Sequence, residues 1–168
     1  MMEFCEYRTP VGTLFISASG GHITAIDFKK PAGEIIKDGF KEPFAAARKW
    51  LDIYFSGKEP DFIPPISLEK LSPFRKRVCE IMLEIKYGHM LTYGGIAKRI
   101  ESETGKRVSA QAVGGAVGKN PVAIIIPCHR VIGAGGNLTG YAGGLDRKIY
   151  LLNCEGIDVK NLHMPKNK

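Results

Sequence analysis

The 168-residue sequence predicts an α/β protein in two domains. Residues 1–66 are expected to form a small N-terminal domain with an antiparallel sheet and a helix. Residues 71–168 are expected to form a mostly helical C-terminal domain with a helix-turn-helix. Three observations predict this. Apolar and polar residues alternate within 7–28 around a glycine pair at positions 20 and 21, the pattern of half-buried strands joined by a tight turn. From residue 72 onward, apolar residues recur at helical spacing in several separate stretches. Between these regions, "EPDFIPPISLEKLSP" is rich in proline and has no helical period, as expected of a connection.

Each element has a local cause. Leu14 and Ile16 alternate with polar neighbours, and residues 23–28 form the next strand. "PFAAARKWLDIYFSGK" reads as a helix because Phe44, Ala47, Leu51 and Tyr54 share one face, with Gly57 at its end. Ser72 and Pro73 supply an N-cap and a proline at the first helical position. Phe74, Val78, Ile81, Met82 and Ile85 then give that helix an apolar face, and Gly88 is expected to end it. Thr92 caps the following helix in "TYGGIAKRI", "TGKRV" turns the chain, and Ser109 caps a short third helix in "SAQAVGGAVGKN". Two short helices about a turn containing glycine make the helix-turn-helix pattern. The Ala and Gly surface of the second lets its backbone approach a groove or, equally, a neighbouring helix. Residues 122–126 are unbroken apolar and read as buried. Glycines crowd 133–144, where backbone groups can come close to a ligand. A last helix runs from 145 to 153.

Composition narrows the function classes. Hydrophobic residues make up 44% of the chain and mean hydropathy is -0.07, which fits a water-soluble globular protein. No apolar stretch approaches the roughly 20 residues of a membrane helix. "MMEFCEYRTP" carries Glu3 and Glu6 and lacks the apolar core of a secretory signal. A cytosolic or nuclear placement follows, with the cytoplasm as the expectation, and reduced cysteines with it. Cys5, Cys79, Cys128 and Cys154 show no C-x-x-C spacing, so no metal site is expected. Cys5, Cys79 and Cys154 read as small core residues. Charge is uneven. Residues 1–70 hold nine Lys/Arg and ten Asp/Glu, whereas residues 71–168 hold fifteen and seven. A basic half beside a neutral one suggests that the second meets a polyanion, although solvated lysines alone would give the same count.

Cys128 stands apart. In "IIIPCHRVIG", at 124–133, a β-branched run leads into Pro127, and then a thiol, an imidazole and a guanidinium stand side by side. "PCHRV" at 127–131, "TYGGIAKRI" at 92–100, "AVGGAVGKNP" at 112–121, "GYAGG" at 140–144 and "CEG" at 154–156 together resemble the O6-alkylguanine-DNA alkyltransferases. The resemblance is close over residues 71–158 and loose before them. Five motifs in the right order make it specific.

The resemblance implies a DNA-repair protein that transfers an alkyl group irreversibly from O6 of guanine, and also from O4 of thymine, to Cys128. It implies one turnover per molecule, no cofactor and no metal. The residues can be read for that chemistry. In-line attack on carbon needs a thiolate, and a free thiol with a pKa of about 8.5 is only slightly ionised at neutral pH. His129 is the adjacent base. Neighbours in an extended segment point to opposite sides, so a water is expected to bridge the imidazole to the thiol. By resemblance, Glu155 holds the imidazole in one tautomer and stabilises its charged form. Tyr93 donates to the guanine ring at N3, and the backbone amide of Ala142 donates to O6 as charge develops. The carbonyls of Cys128 and Val131 accept from the exocyclic amine. Asn120 braces the turn before the active-site segment. Val117 lines the pocket, with Tyr141 and Gly143 among the substrate contacts. Arg130 is expected to act as a structural cation or backbone brace.

The partner implied is double-stranded DNA carrying O6-alkylguanine, bound by a monomer, with no membrane involved. O6 of a stacked guanine is out of reach of a buried thiol, so the nucleotide must leave the duplex. Ser109, Ala110, Gln111, Ala112, Gly115 and Lys119, with Arg107 before them, are the expected DNA contacts. Here the sequence departs from the family pattern. Gln111 occupies the position of the family's intercalating arginine and lacks the planar cation that stacks on bases. Arg107 is the other candidate for that role.

Four rival readings are weaker. A zinc deaminase needs H-x-E and P-C-x-x-C; Val131 stands where the second cysteine would be, and no H-x-E occurs. A cysteine hydrolase does not fit a nucleophile and base that are sequence neighbours. Alkyltransferase-like binding proteins lack the reactive cysteine that Cys128 supplies, and a transcription factor would need a further DNA-binding domain or a Cys-rich metal module.

Overall fold

The computed structural model describes residues 2–36, 39 and 41–162. The final residues, 163–168, of the expected second domain lie outside them. The chain divides into two compact units. One is Met1–Lys70 with Pro121–Ile125, the other Leu71–Asn120 with Ile126–Lys168.

The first unit is built on a meander. Strands β1 (Glu3–Thr9), β2 (Gly12–Ser19) and β3 (His22–Asp27) pair antiparallel, and a two-residue β4 (Glu34–Ile35) adds parallel to β1, giving the order β3-β2-β1-β4. Gly20 and Gly21 both have positive φ, 58° and 79°, which is what the tight β2–β3 turn demands. Phe4, Leu14, Ile16, Ile23 and Ile26 are buried from the sheet. Helix α1 (Phe44–Phe55) buries Phe44, Ala47, Trp50, Leu51 and Tyr54, so the predicted face holds and gains Trp50, stacked on Tyr54 at 5.3 Å. The Pro-rich connection is not free of structure. Ile66 bridges to Ile23, and Ile23 N–H donates to Pro65 O at 2.7 Å. The segment Pro121–Ile125, which the motif order had grouped with the C-terminal half, belongs to this unit: Ile26 N–H donates to Pro121 O and Ala123 N–H to Ile26 O.

The second unit holds α2 (Pro73–Leu83), β5 (Leu91–Thr92), α3 (Tyr93–Thr104), α4 (Ala110–Gly118), β6 (Val131–Ile132) and α5 (Leu145–Cys154). The three serine and threonine caps form as expected. Ser72, Thr92 and Ser109 side chains accept from Arg75 N, Gly95 N and Ala112 N. Gly105 closes α3 in the left-handed conformation at φ 69°. Helix α2, however, ends at Leu83 and not at Gly88. The chain leaves the helix at Glu84, so that the Ile85 carbonyl is free to accept from Arg130 at 2.6 Å and Gly88 N–H is free to donate to Glu155. Tertiary partners decide that boundary, not the glycine. Strands β5 and β6 pair in parallel, which ties the start of α3 to the segment after Cys128.

Candidate active site

The chain reaches the thiol through a run of tight turns. Asn120, just past α4, donates from Nδ2 to Ile126 O at 2.8 Å. Ile124 has φ +71°, and Ile125 N–H donates to Ala123 O at 2.9 Å. A β-branched residue there is costly and persists only where the surroundings impose it. The apolar run 122–126 is buried apart from the half-buried Ala123, and it is irregular backbone, not a strand. Pro127 then leads into a 3-10 turn, Cys128–Arg130. The expectation of an extended segment here is therefore corrected. Successive side chains in such a turn diverge by about 120°, so Cys128 and His129 still do not face each other.

Cys128 is 6% exposed and carries a free thiol. Burial pushes the thiol up. Hydrogen bonds from Asn120 and Tyr141, and the nearby Lys148 cation, act the other way. His129 is fully buried, with Nε2 2.7 Å from Glu155 Oε1. Glu155 is the C-cap residue of α5, which is why sequence separation concealed the pair. Its carboxylate also accepts from Arg130 Nε and Nη2, at 2.9 Å for the shorter contacts, and from Gly88 N at 3.1 Å. Burial alone would raise this carboxyl, but hydrogen bonds from His129 and Arg130 outweigh it and hold the group at about 2. Burial pushes the His129 imidazole down; Glu155 pulls it up, and Arg130 and Lys148 oppose protonation.

Sequence reasoning missed Lys148. It is fully buried on α5, and Nζ donates to Val131 O at 2.7 Å and Thr139 O at 3.2 Å. A signal existed. Lys148 shares its helical face with Leu151 and Leu152, both fully buried. The two carbonyls expected to receive the guanine amine each already have one donor: Cys128 O takes Val131 N, and Val131 O takes Lys148 Nζ. A carbonyl oxygen has a second lone pair, so both keep an acceptor site.

The remaining expected residues fall in two groups. Tyr93, Tyr141, Ala142 and Gly143 belong to the same unit as the thiol. The Tyr93 hydroxyl accepts from Thr139 Oγ1 at 2.9 Å, and a turn closes from Gly144 N to Tyr141 O, leaving Ala142 exposed. Gly143 O accepts from Arg147. Val117 lies on the buried side of α4 with Val113 and Ala116. Ser109, Ala110, Gln111, Ala112, Gly115 and Lys119 lie on the exposed side, with Arg107 exposed ahead of the cap. Ala110, Ala112 and Gly115 of α4 thus face outward, whereas Ala116 is buried and Gly114 is half-buried against the Tyr93 ring. Among the described residues no cluster of three or more His, Cys, Asp or Glu could hold a metal ion, and no helix is long and apolar enough to cross a membrane.

A buried thiol beside a carboxylate-held imidazole, next to a helix-turn-helix with an open small-residue face, defines a class: a cysteine-nucleophile protein that works on DNA. Two family models match the chain. The 6-O-methylguanine DNA methyltransferase DNA-binding domain covers residues 73–157, and the ribonuclease-like domain of the same family covers residues 5–68. The methylated-DNA–protein-cysteine methyltransferase of Methanosarcina acetivorans is 39% identical over 92% of this chain and 99% of its own. That of Mycolicibacterium paratuberculosis is 42% identical, covering 92% and 93%. The crystal structure of Mycobacterium tuberculosis OGT in complex with DNA matches with a TM-score of 0.78 at 35% identity, covering 96% of this chain and 95% of that one. The chain belongs to the 6-O-methylguanine DNA methyltransferase family.

Proposed function

We propose that the protein repairs double-stranded DNA by moving an alkyl group from O6 of guanine to Cys128 Sγ, once per molecule. The observation that carries this reading is the buried free thiol of Cys128 beside His129, whose Nε2 is held by Glu155 at 2.7 Å. Nε2 is engaged by the carboxylate, so Nδ1 is the nitrogen left to take a proton. The divergence of the two side chains calls for a water between Nδ1 and the thiol. The thiol proton passes through that water to His129, and the imidazolium is balanced by Glu155. The thiolate attacks the alkyl carbon in line, an S–C bond forms, the C–O6 bond breaks, and the electron pair leaves with guanine. A proton then returns to the base, which departs as neutral guanine.

Leaving-group help comes from the Tyr93 hydroxyl at the ring and the Ala142 amide at O6. An amide donates whatever its side chain, so alanine at 142 serves. The Cys128 and Val131 carbonyls, fixed by Val131 N and Lys148, select the guanine amine with their remaining lone pairs. Val117, Tyr141 and Gly143 border the alkyl site, and Asn120 holds the turn before the thiol. Lys148 supplies a cation that favours the thiolate. Gln111, Arg107, Ser109, Ala110, Ala112, Gly115 and Lys119 meet DNA, and Gln111 fills the space of the extruded base. The protein acts as a monomer in a reducing compartment, the cytoplasm.

The test is intact mass and peptide mapping after mixing with DNA containing O6-methylguanine. One methyl group on Cys128 is expected. Methylation of Cys5 or Cys154 instead, or turnover without modification of the protein, overturns the mechanism.

A further inference from the structure

We propose that Arg130 is a positioning residue that sets the protonation state of His129 through Glu155, keeping the imidazole neutral until the Cys128 proton arrives. This rests on the alkyl-transfer reading of Cys128. The first observation is a shared carboxylate. Glu155 Oε1 faces His129 Nε2 at 2.7 Å while accepting from Arg130 Nη2 at 2.9 Å and Nε at 3.1 Å; Oε2 accepts from Arg130 Nε at 2.9 Å. The second is that the cation is itself fixed. Arg130 Nη1 donates to Ile85 O at 2.6 Å, and the guanidinium lies over the Tyr87 ring at 5.7 Å. Tyr87 is anchored in turn by its hydroxyl on Cys154 O at 2.9 Å.

The setting is dry. The His129 and Glu155 side chains are 0% exposed and that of Arg130 is 9%. A lone carboxylate there would draw a proton onto the imidazole and hold it. With the guanidinium on the same oxygens, that pair is already neutral. A charge on His129 would then be a further buried cation sharing one carboxylate with Arg130, which is unfavourable. Loss of the Cys128 proton changes the balance, because the thiolate supplies the missing negative charge. Imidazole protonation is thereby coupled to thiolate formation, which is what a general base for this thiol requires.

Other charged and titratable groups face the cluster. Lys148 on α5 acts on both His129 and Cys128, Cys79 on α2 acts on Cys128, and Cys154 neighbours Glu155. Lys148 and Arg130 both act on the imidazole through space, and Arg130 acts in addition through the shared Glu155 oxygen. Removing Glu155 should therefore remove the shared-oxygen part of the effect of Arg130 and leave its through-space part and that of Lys148.

The experiment is a histidine NMR titration of the whole protein, together with the pH dependence of alkyl transfer from O6-benzylguanine. It compares the wild type, Arg130→Gln, Arg130→Lys, and Arg130→Gln combined with Glu155→Gln. The wild-type His129 is expected to be neutral at neutral pH. In Arg130→Gln its titration, and the acid limb of the transfer rate, should both move up by about one pH unit, a ten-fold change in proton affinity. Arg130→Lys keeps the charge but loses the fork, so its upward shift should be smaller. In the Glu155→Gln background the Arg130→Gln shift should be clearly smaller, and an equal shift overturns the route through Glu155. A wild-type imidazole already charged at neutral pH overturns the proposal, as does a His129 titration that stays put or falls in Arg130→Gln. If Arg130→Gln does not fold, Arg130→Lys decides by the same sign. Absence of methyl transfer from O6-methylguanine DNA to the wild type would sink the alkyl-transfer reading, while the titrations would still decide the role of Arg130.

Discussion

Lys148 Nζ lies 2.7 Å from the carbonyl oxygen of Val131, on a side chain with no solvent exposure. Burial holds its ammonium down at about 8, with Cys128 pulling the other way. The unfolded chain keeps that proton to 10.5. Between the two values the unfolded state binds more protons, so stability rises with pH across that window. Below it, both states are charged and the full cost of burying the cation is present. Lys148→Met should remove this rise. Urea unfolding from about pH 7 to about pH 10 should show the wild type gaining up to about 1.4 kcal/mol per pH unit relative to the variant. Parallel pH dependences would mean the ammonium is solvated. The same variant should transfer alkyl groups about ten-fold more slowly at neutral pH, with the deficit shrinking in alkali, where the thiolate forms unaided.

Glu155→Gln tests the relay from the other end. The glutamine still bonds the imidazole but cannot balance its charge. Transfer is expected to slow by about a hundred-fold or more, within the range of acid–base contributions, while DNA affinity changes little. Because the folded-state carboxyl is depressed to about 2, its contribution to stability is fully present above the ordinary 4.5 and is lost as pH falls toward 2. The variant should lose that acid dependence. An unchanged rate with weakened binding would make Glu155 purely structural.

The caps and the pocket were legible to different degrees. Ser72, Thr92 and Ser109 act on backbone amides three residues away, so their signal is entirely local. The buried face of α1 was legible because it depends on one period. Glu155 could be placed only by resemblance, since 26 residues separate it from His129 and no spacing rule spans two loops and a helix. Lys148 was overlooked because lysine is ordinarily solvated, although its helical position among buried leucines marked it. The end of α2 and the 3-10 turn at Cys128 escaped for one reason. Both are shaped by Arg130, which needs the Ile85 carbonyl and the Glu155 carboxylate at once. The parallel β1–β4 pair, two residues long, has too little pattern to read.

DNA affinity should fall steeply with salt. The basic excess lies in residues 71–168, and Arg107 and Lys119 are exposed at the two ends of α4. Each phosphate contact releases counter-ions and contributes a slope of about −0.9 in the logarithmic plot of affinity against salt. Arg107→Ala and Lys119→Ala should each reduce the slope by about one and weaken binding to all duplex sequences alike. A flat salt response in the wild type would assign the charge excess to solvated surface.

Gln111 is exposed on α4, between Ala110 and Ala112, where nothing bulky competes with it for a groove. Extruding a nucleotide costs a few kcal/mol, and least where pairing is already weak. Glutamine can wedge and hydrogen-bond but cannot stack a planar cation on the neighbouring bases. Extrusion by this protein should therefore lean on the instability of the damaged pair itself. Gln111→Arg is expected to speed repair of O6-methylguanine in duplex DNA by several-fold to about ten-fold, the worth of one cation–π contact. Its reaction with free O6-benzylguanine, which needs no extrusion, should barely change. Gln111→Ala should slow duplex repair selectively. The measurement is the second-order rate on both substrates for all three proteins. Equal effects on both would show that Gln111 acts through the fold of the active site. No effect on either would move the extrusion role elsewhere, to Arg107 first, and Arg107→Ala should then reproduce the selective loss.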